Sequence, residues 1–303
     1  MRPSRGGDAR AGTEMRDPHP VHREVVANDL RHHVLEWDGG GRTTVLCLHG
    51  FLDLAWGFAP VAPSLAEAGY HVVAPDLRGH GDTDRVGAGG YYYFMDYLLD
   101  VADLVDRLAR DRLALVGHSM GGTVALLYAS VFPERPERVV GFESIHMRPR
   151  PDESPPRRAL EWIQGVRNAR AHGPRVLPTI EDCAERIRRH DPRCPPDLAL
   201  FLAERGTAPA PGGRAFKHDP VHLTRGPYPF RLDQWKAYFA AIECPVLLVD
   251  AADGEPPPPD MPERLAAFRR PPRRAIVENA GHMMIRHQPG EVARLLIEFL
   301  AGR

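Results

Sequence analysis

Short apolar runs alternate with longer stretches of helical periodicity from residue 24 to the end of the chain. Runs at 24–28, 33–37, 44–48, 71–74, 113–116, 139–142, 246–249 and 275–277 predict eight strands. The later ones are aliphatic and β-branched without polar alternation, which predicts strands covered on both faces of a parallel sheet. Helical patterns fall between them at 58–68, 96–110, 120–131 and 289–300. In 96–110, Tyr97, Leu98, Val101, Leu104, Val105 and Leu108 form one stripe at i, i+3, i+4 spacing, the mark of an amphipathic helix. Pro289 suits the first turn of the last helix. Strands and helices in alternation predict an α/β fold on a doubly wound, mostly parallel, eight-stranded sheet.

Residues 148–241 break this rhythm. The stretch opens on Arg148-Pro149-Arg150-Pro151, carries about three helix-like segments and shows no strand pattern. It reads as a helical cap inserted between two sheet strands, which leaves 23–147 and 242–303 as the core. A basic interaction arm is the other reading of its prolines and arginines. Residues 1–22 are rich in Arg, Gly, Pro and Asp and lack an apolar core segment. They read as a disordered tail and not as a secretory signal.

Charge narrows the partners. The chain has 303 residues, with 39 basic against 40 acidic, for a net charge of −1. No global field draws it to nucleic acid or to an anionic membrane. No run reaches the about 18 apolar residues of a membrane span, so a soluble cytoplasmic protein is the expectation. The four cysteines Cys47, Cys183, Cys194 and Cys244 are widely spaced, without a Cys-x-x-Cys pair. They read as core thiols, not as a disulfide framework or a zinc site.

The chemistry concentrates in three places. Gly117-His118-Ser119-Met120-Gly121 follows a predicted strand and precedes a predicted helix. That strand–turn–helix context is the one a nucleophile elbow requires. A nucleophile at such a tip sits in strained backbone, and the flanking glycines let neighbouring chain pass close by. The second is Leu48-His49-Gly50-Phe51, where a buried strand empties into a loop. The backbone N–H groups of Phe51 and Met120 are the expected oxyanion donors, and His49 reads as a structural hydrogen-bonder. The third is Asn279-Ala280-Gly281-His282, between the last strand and the last helix, which makes His282 the expected base. His287 is its competitor.

These motifs, in this order, resemble the α/β-hydrolase superfamily, and the resemblance spans nearly all of residues 24–303. Asp76-Leu77-Arg78-Gly79-His80-Gly81-Asp82-Thr83 is similar to that superfamily's Asp-x-Arg-Gly-x-Gly loop, which implies that Asp76 and Arg78 brace the loop. The insertion corresponds to the superfamily's cap. The resemblance leaves the triad acid open. Many members place it after the strand read here as 246–249, where this chain offers Asp253 in a loop that looks one residue short. The stretch Phe142-Glu143-Ser144-Ile145-His146 instead resembles the haloalkane dehalogenases, in which a Glu after the preceding strand orients the histidine. Those enzymes use an Asp nucleophile, where this chain has Ser119. Phe201-Leu202-Ala203-Glu204-Arg205-Gly206-Thr207 and Arg231-Leu232 are similar to the cap of the serine hydrolase-like proteins, which also favours Glu143. Glu143 is therefore the expected acid and Asp253 the alternative. A buried Glu143 requires a partner, and a cap arginine such as Arg148 or Arg150 is the bland choice.

The resemblance implies a serine hydrolase that cleaves a carboxylic ester, lactone or thioester, with Ser119, His282 and Glu143 as its catalytic residues. No metal or organic cofactor is implied, and the expected partner is a small acyl substrate. Trp162 and Trp235 are expected to shape its pocket, and Tyr91-Tyr92-Tyr93-Phe94 lines either that channel or a buried cluster. Carbon–carbon bond hydrolysis, lyase chemistry and a non-hydrolytic small-molecule receptor are the alternatives on the same scaffold. Epoxide hydrolase and dehalogenase chemistry are disfavoured, since both would place a carboxylate where Ser119 stands.

Overall fold

A computed structural model describes residues 20–148 and 154–303. All eight predicted runs are strands of one sheet: β1 (Val21–Ala27), β2 (Leu30–Asp38), β3 (Thr43–Leu48), β4 (His71–Pro75), β5 (Arg112–His118), β6 (Pro136–Phe142), β10 (Val246–Ala251) and β11 (Arg273–Val277). Their order is β1-β2-β4-β3-β5-β6-β10-β11. The pairs β1/β2 and β2/β4 are antiparallel and the remaining pairs parallel. The sheet is thus the mostly parallel one that unbroken apolar runs predict.

Alternation along each strand divides the core between two layers. In β3, Val45 and Cys47 pack on one face, beside Leu65 of α1 (Ala62–Glu67) and Leu296 of α10 (Pro289–Leu300). Leu46 and Leu48 pack on the other, beside Leu104 of α2 (Phe94–Leu108) and Val124 of α3 (Met120–Val131). The whole predicted stripe of α2, from Tyr97 to Leu108, is buried. The helix expected over 58–68 divides into a 3₁₀ turn, Ala55–Phe58, and the shorter α1. Pro63 in the first turn of α1 sets that late start. All four cysteines are free and buried, as core thiols are.

Between β6 and β10 lie α4 (Pro155–His172), α5 (Ile180–His190), α6 (Pro196–Gly206) and α7 (Leu232–Ala241). The expectation of a strand-free cap is corrected here. A small antiparallel sheet joins β7 (Val176–Leu177), β9 (Gly213–Phe216) and β8 (Thr207–Ala210) in that order. Strands this short, rich in Ala, Pro and Gly, carry no β periodicity. The β8–β9 hairpin turns instead on Gly212 and Gly213, both at positive φ. The core also holds two short helices, α8 (Met261–Ala266) and α9 (Met284–His287).

The tail boundary moves as well. Val21 and His22, read as the end of the tail, pair with Glu36 and Leu35 in the sheet. Residues 1–19 of that segment, and Arg150, lie outside the described residues. Among the described residues no helix is long and apolar enough to cross a membrane.

Candidate active site

The residues singled out in the sequence gather at the carboxyl ends of β3, β5, β6 and β11, on one edge of the sheet. Ser119 is the single residue between β5 and α3, at φ +50° and ψ −113°, outside the regions an L-residue ordinarily adopts. Its N–H donates to Phe142 O at 2.8 Å, which holds the strained turn against β6. The motif glycines permit the approach. A Cβ on Gly121 would lie 2.1 Å from Leu48 O, and one on Gly117 would lie 2.4 Å from the carbonyl of Gly121. Met120 opens α3, so its N–H belongs to the first turn, whose donors have no partner within the helix.

Ser119, Met120, Phe51, Glu143 and His282 line one cavity of about 350 Å³. His282 Nδ1 donates to Glu143 Oε2 at 2.5 Å, since an ionised carboxylate can only accept. The proton on Nδ1 leaves Nε2 as the basic nitrogen. Glu143 is buried, at φ +42°, and its Oε1 also accepts from Ala251 N–H at 3.3 Å. Burial opposes its ionisation. The hydrogen bond from His282, the attraction of its imidazolium form and Ala251 N–H outweigh that and hold the carboxyl below the ordinary glutamate value. Gly254 completes the cradle, since a Cβ there would lie 2.0 Å from Glu143 Oε1.

The competing residues are engaged elsewhere. Asp253 pairs with Arg193 of the cap at 2.9 Å, in a half-exposed position. Arg148 donates to Pro256 O at 2.6 Å and not to Glu143. His287 Nε2 donates to Asp191 at 2.6 Å, and its Nδ1 accepts from Gly281 N–H at 3.1 Å. His49 Nδ1 donates to Gly50 O at 2.8 Å, and its Nε2 accepts from Leu77 N–H at 2.9 Å. Asp76 accepts from His33 Nδ1 and from the N–H groups of Ala55 and Asp82. Arg78 grips Asp100 through two 2.5 Å bonds. Both residues brace their loop. His33, Asp76 and Asp82 bring three potential metal-ligand atoms together, but the Asp76 oxygens are spent on that bracing.

One residue had no functional signal in the sequence beyond its place inside Gly-x-Ser. His118 Nε2 donates to the backbone carbonyl of His282 at 2.8 Å, with the two rings 4.7 Å apart. Burial, with the neighbouring His282, pushes His118 down to about 4, so it is a neutral brace. A second cavity, of about 1010 Å³, shares Phe51, Phe94, Met120 and Met147 with the first. Tyr91, Tyr92, Tyr93 and Trp235 line it too. Trp162 does not. It packs edge-on against Tyr91 at 5.5 Å and lines an adjoining depression that shares Tyr91 and Tyr93.

Residues 43–180 match the family described as alpha/beta hydrolase fold. A serine hydrolase-like protein of Danio rerio is 31% identical over 250 residues, 81% of this chain and 73% of the relative. The chain belongs to the α/β-hydrolase superfamily. Epoxide hydrolase A of Mycobacterium tuberculosis is 26% identical over 93% of this hydrolase and 98% of its own length. A solved hypothetical protein of Pseudomonas aeruginosa superposes with a TM-score of 0.82 at 28% identity, over 92% of this chain and 99% of its own. The thioesterase domain of the curacin biosynthetic pathway shares the fold at a TM-score of 0.79 and 24% identity, over 92% of this chain and 99% of its own.

Proposed function

We propose that this hydrolase cleaves a carboxylic ester, lactone or thioester through an acyl-enzyme on Ser119. Ser119 Oγ attacks the carbonyl carbon while His282 Nε2 takes its proton. The resulting imidazolium then protonates the leaving group. Glu143 holds the proton on His282 Nδ1 and stabilises the imidazolium charge. The N–H groups of Phe51 and Met120 receive the oxyanion, and one such donor lowers the barrier by about 2.7–4 kcal/mol. Water, activated by the same histidine, then releases the acid. Nucleophile, base, acid and donors all come from the chain, so the reaction needs no cofactor.

The observation that carries this reading is the Glu143–His282 bond on the wall of the cavity that Ser119 enters. Similarity to an epoxide hydrolase favours a second chemistry, the opening of an epoxide. An attacking carboxylate would then be needed at position 119, which is serine. The large cavity supports a bulky apolar acyl group, because its lining is largely aromatic and two of its tyrosine hydroxyls are already bonded: Tyr92 to Asp219 at 2.7 Å and Tyr91 to Thr224 at 3.1 Å. Labelling by a fluorophosphonate, combined with turnover of a p-nitrophenyl ester series, tests the reading. Labelling with ester turnover supports the hydrolase. Labelling without turnover favours a receptor or a carbon–carbon bond chemistry, and absence of labelling contradicts a serine nucleophile.

A further inference from the structure

The loop that carries His282 is held at its backbone by Gln288, whose Nε2 donates to Asn279 O at 3.3 Å, and by three further groups. His118 Nε2–H donates to His282 O, Asp253 N–H donates to Ala280 O at 2.9 Å, and Gly281 N–H donates to His287 Nδ1. The third leads into the cap. His287 accepts at Nδ1 only while its proton sits on Nε2, and Asp191 Oδ1 receives that proton at 2.6 Å. The other tautomer would set two N–H groups against each other at 3.1 Å. Asp191 lies in the turn after α5, 96 residues before His287.

The same carboxylate reaches a second loop. Asp191 Oδ2 lies 3.9 Å from Arg286 Nη1, and Arg286 Nη2 donates to Asp53 at 2.6 Å. Asp53 belongs to the same loop after β3 as Phe51, whose N–H is the proposed oxyanion donor. Asp191, His287, Arg286 and Asp53 are all nearly buried. Buried ion pairs often add no net stability over apolar packing, so stability alone does not account for this cluster. Two residues on, Arg193 binds Asp253, whose N–H holds Ala280. Through Asp191, one turn of the cap therefore reaches both the base loop and the oxyanion loop.

We propose that Asp191 is a positioning residue. Acting through His287 and Arg286, it holds the His282 loop and the Phe51 loop in reacting register, so that catalysis depends on the seated cap. Its kinetic readout rests on the Ser119 chemistry proposed above. Its structural readout does not.

The test uses the full chain as wild type, Asp191→Ala, Asp191→Asn, His287→Gln and His287→Leu. Measured for each are kcat and KM on p-nitrophenyl acetate, the fraction and rate of fluorophosphonate labelling, and amide exchange at Gly281. Misplacement by about 1 Å costs about 10²-fold, so Asp191→Ala and His287→Leu should lose about 10–10²-fold in kcat per labelled site. KM should hold, and Gly281 exchange should rise. Asp191→Asn keeps an acceptor for His287, and His287→Gln keeps an acceptor for Gly281 and a donor for Asp191, so both should recover most of the loss. A merely structural role would lower the labelled fraction but leave kcat per labelled site unchanged, and that outcome overturns the proposal. So does equal damage from the conservative and the truncating variants. If Asp191→Ala does not fold, the His287→Gln and His287→Leu pair carries the same contrast. If wild type does not label, the serine chemistry fails, and Gly281 exchange alone decides for or against Asp191.

Discussion

Glu143 and His282 stand 139 residues apart in the chain and meet at 2.5 Å. The sheet brings them together. Parallel pairing of β6 with β10 sets Phe142 opposite Val249, so Glu143 emerges beside Ala251 and its N–H donates to Val249 O at 2.9 Å. The pairing of β10 with β11 ends on Ala251 opposite Val277, which delivers the His282 loop to the same corner. The carboxylate and the imidazole are thus neighbours by strand register.

The acid is assigned by two amide substitutions. Glu143→Gln should lower kcat by about 10⁴, because an amide at this position favours the wrong histidine tautomer. Asp253→Asn should leave kcat near wild type, since Asp253 pairs with Arg193 in solvent and exposed pairs contribute little. Steady-state kinetics of both variants and of the double mutant check this. A large loss from Asp253→Asn with Glu143→Gln near wild type would reverse the assignment.

Much of this was legible in the chain and some was not. Helices α3 and α10 begin and end where their patterns do, because Pro289 and the turn at Ser119 mark the starts. The eight sheet strands announce themselves because burial on both faces demands unbroken apolar runs. The hairpin of β8 and β9 is silent because Ala208, Pro209 and Ala210 have low β propensity. The choice between Glu143 and Asp253 was hidden for another reason. It rests on the strand register that brings Glu143 to His282 and on a cap arginine, 60 residues away in the chain, that takes up Asp253. His118 and Asp191 act through tertiary contacts with no local pattern, and sequence spacing carries no trace of either.

Acid should destabilise the fold before its carboxylates titrate. Burial holds His118, His218 and His222 down at about 4, whereas in the unfolded chain they titrate near 6.5. Between these values the unfolded state binds more protons, so stability falls as pH drops. Each such proton contributes a slope of about 1.4 kcal/mol per pH unit. The depressed carboxyls of Asp76, Asp100 and Glu143 contribute stability that is lost only at lower pH. The midpoint of thermal unfolding should therefore fall between pH 7 and pH 5. A flat midpoint over that window would show that these imidazoles are not buried neutral.

Bracing of the Asp76–Thr83 loop should be costly to remove. The side chains of Arg78 and Asp100 are almost fully buried, and Arg78→Ala leaves the carboxylate with its Asn28 bond but without its guanidinium counter-charge. A loss of about 3–5 kcal/mol in denaturant unfolding is expected. A change below about 1 kcal/mol would mean that solvent reaches Asp100 freely.

Acyl selectivity should follow the large cavity. Trp235→Ala removes an aromatic wall that also touches Phe94 and Phe230. The ratio of kcat/KM for a p-nitrophenyl aryl ester over the acetate should fall by about tenfold, within the range for a changed apolar contact. An unchanged ratio would place the acyl group elsewhere.

The central claim is the bond that forms on Ser119. Wild-type protein mixed with a p-nitrophenyl ester, quenched in acid within the first turnovers and peptide-mapped by mass spectrometry, should carry the acyl mass on the peptide containing Ser119. Ser119→Ala should carry none, keep its fold and lose about 10⁶ in kcat. Acyl mass on another residue, or more than a few per cent of activity in purified Ser119→Ala, would contradict the account.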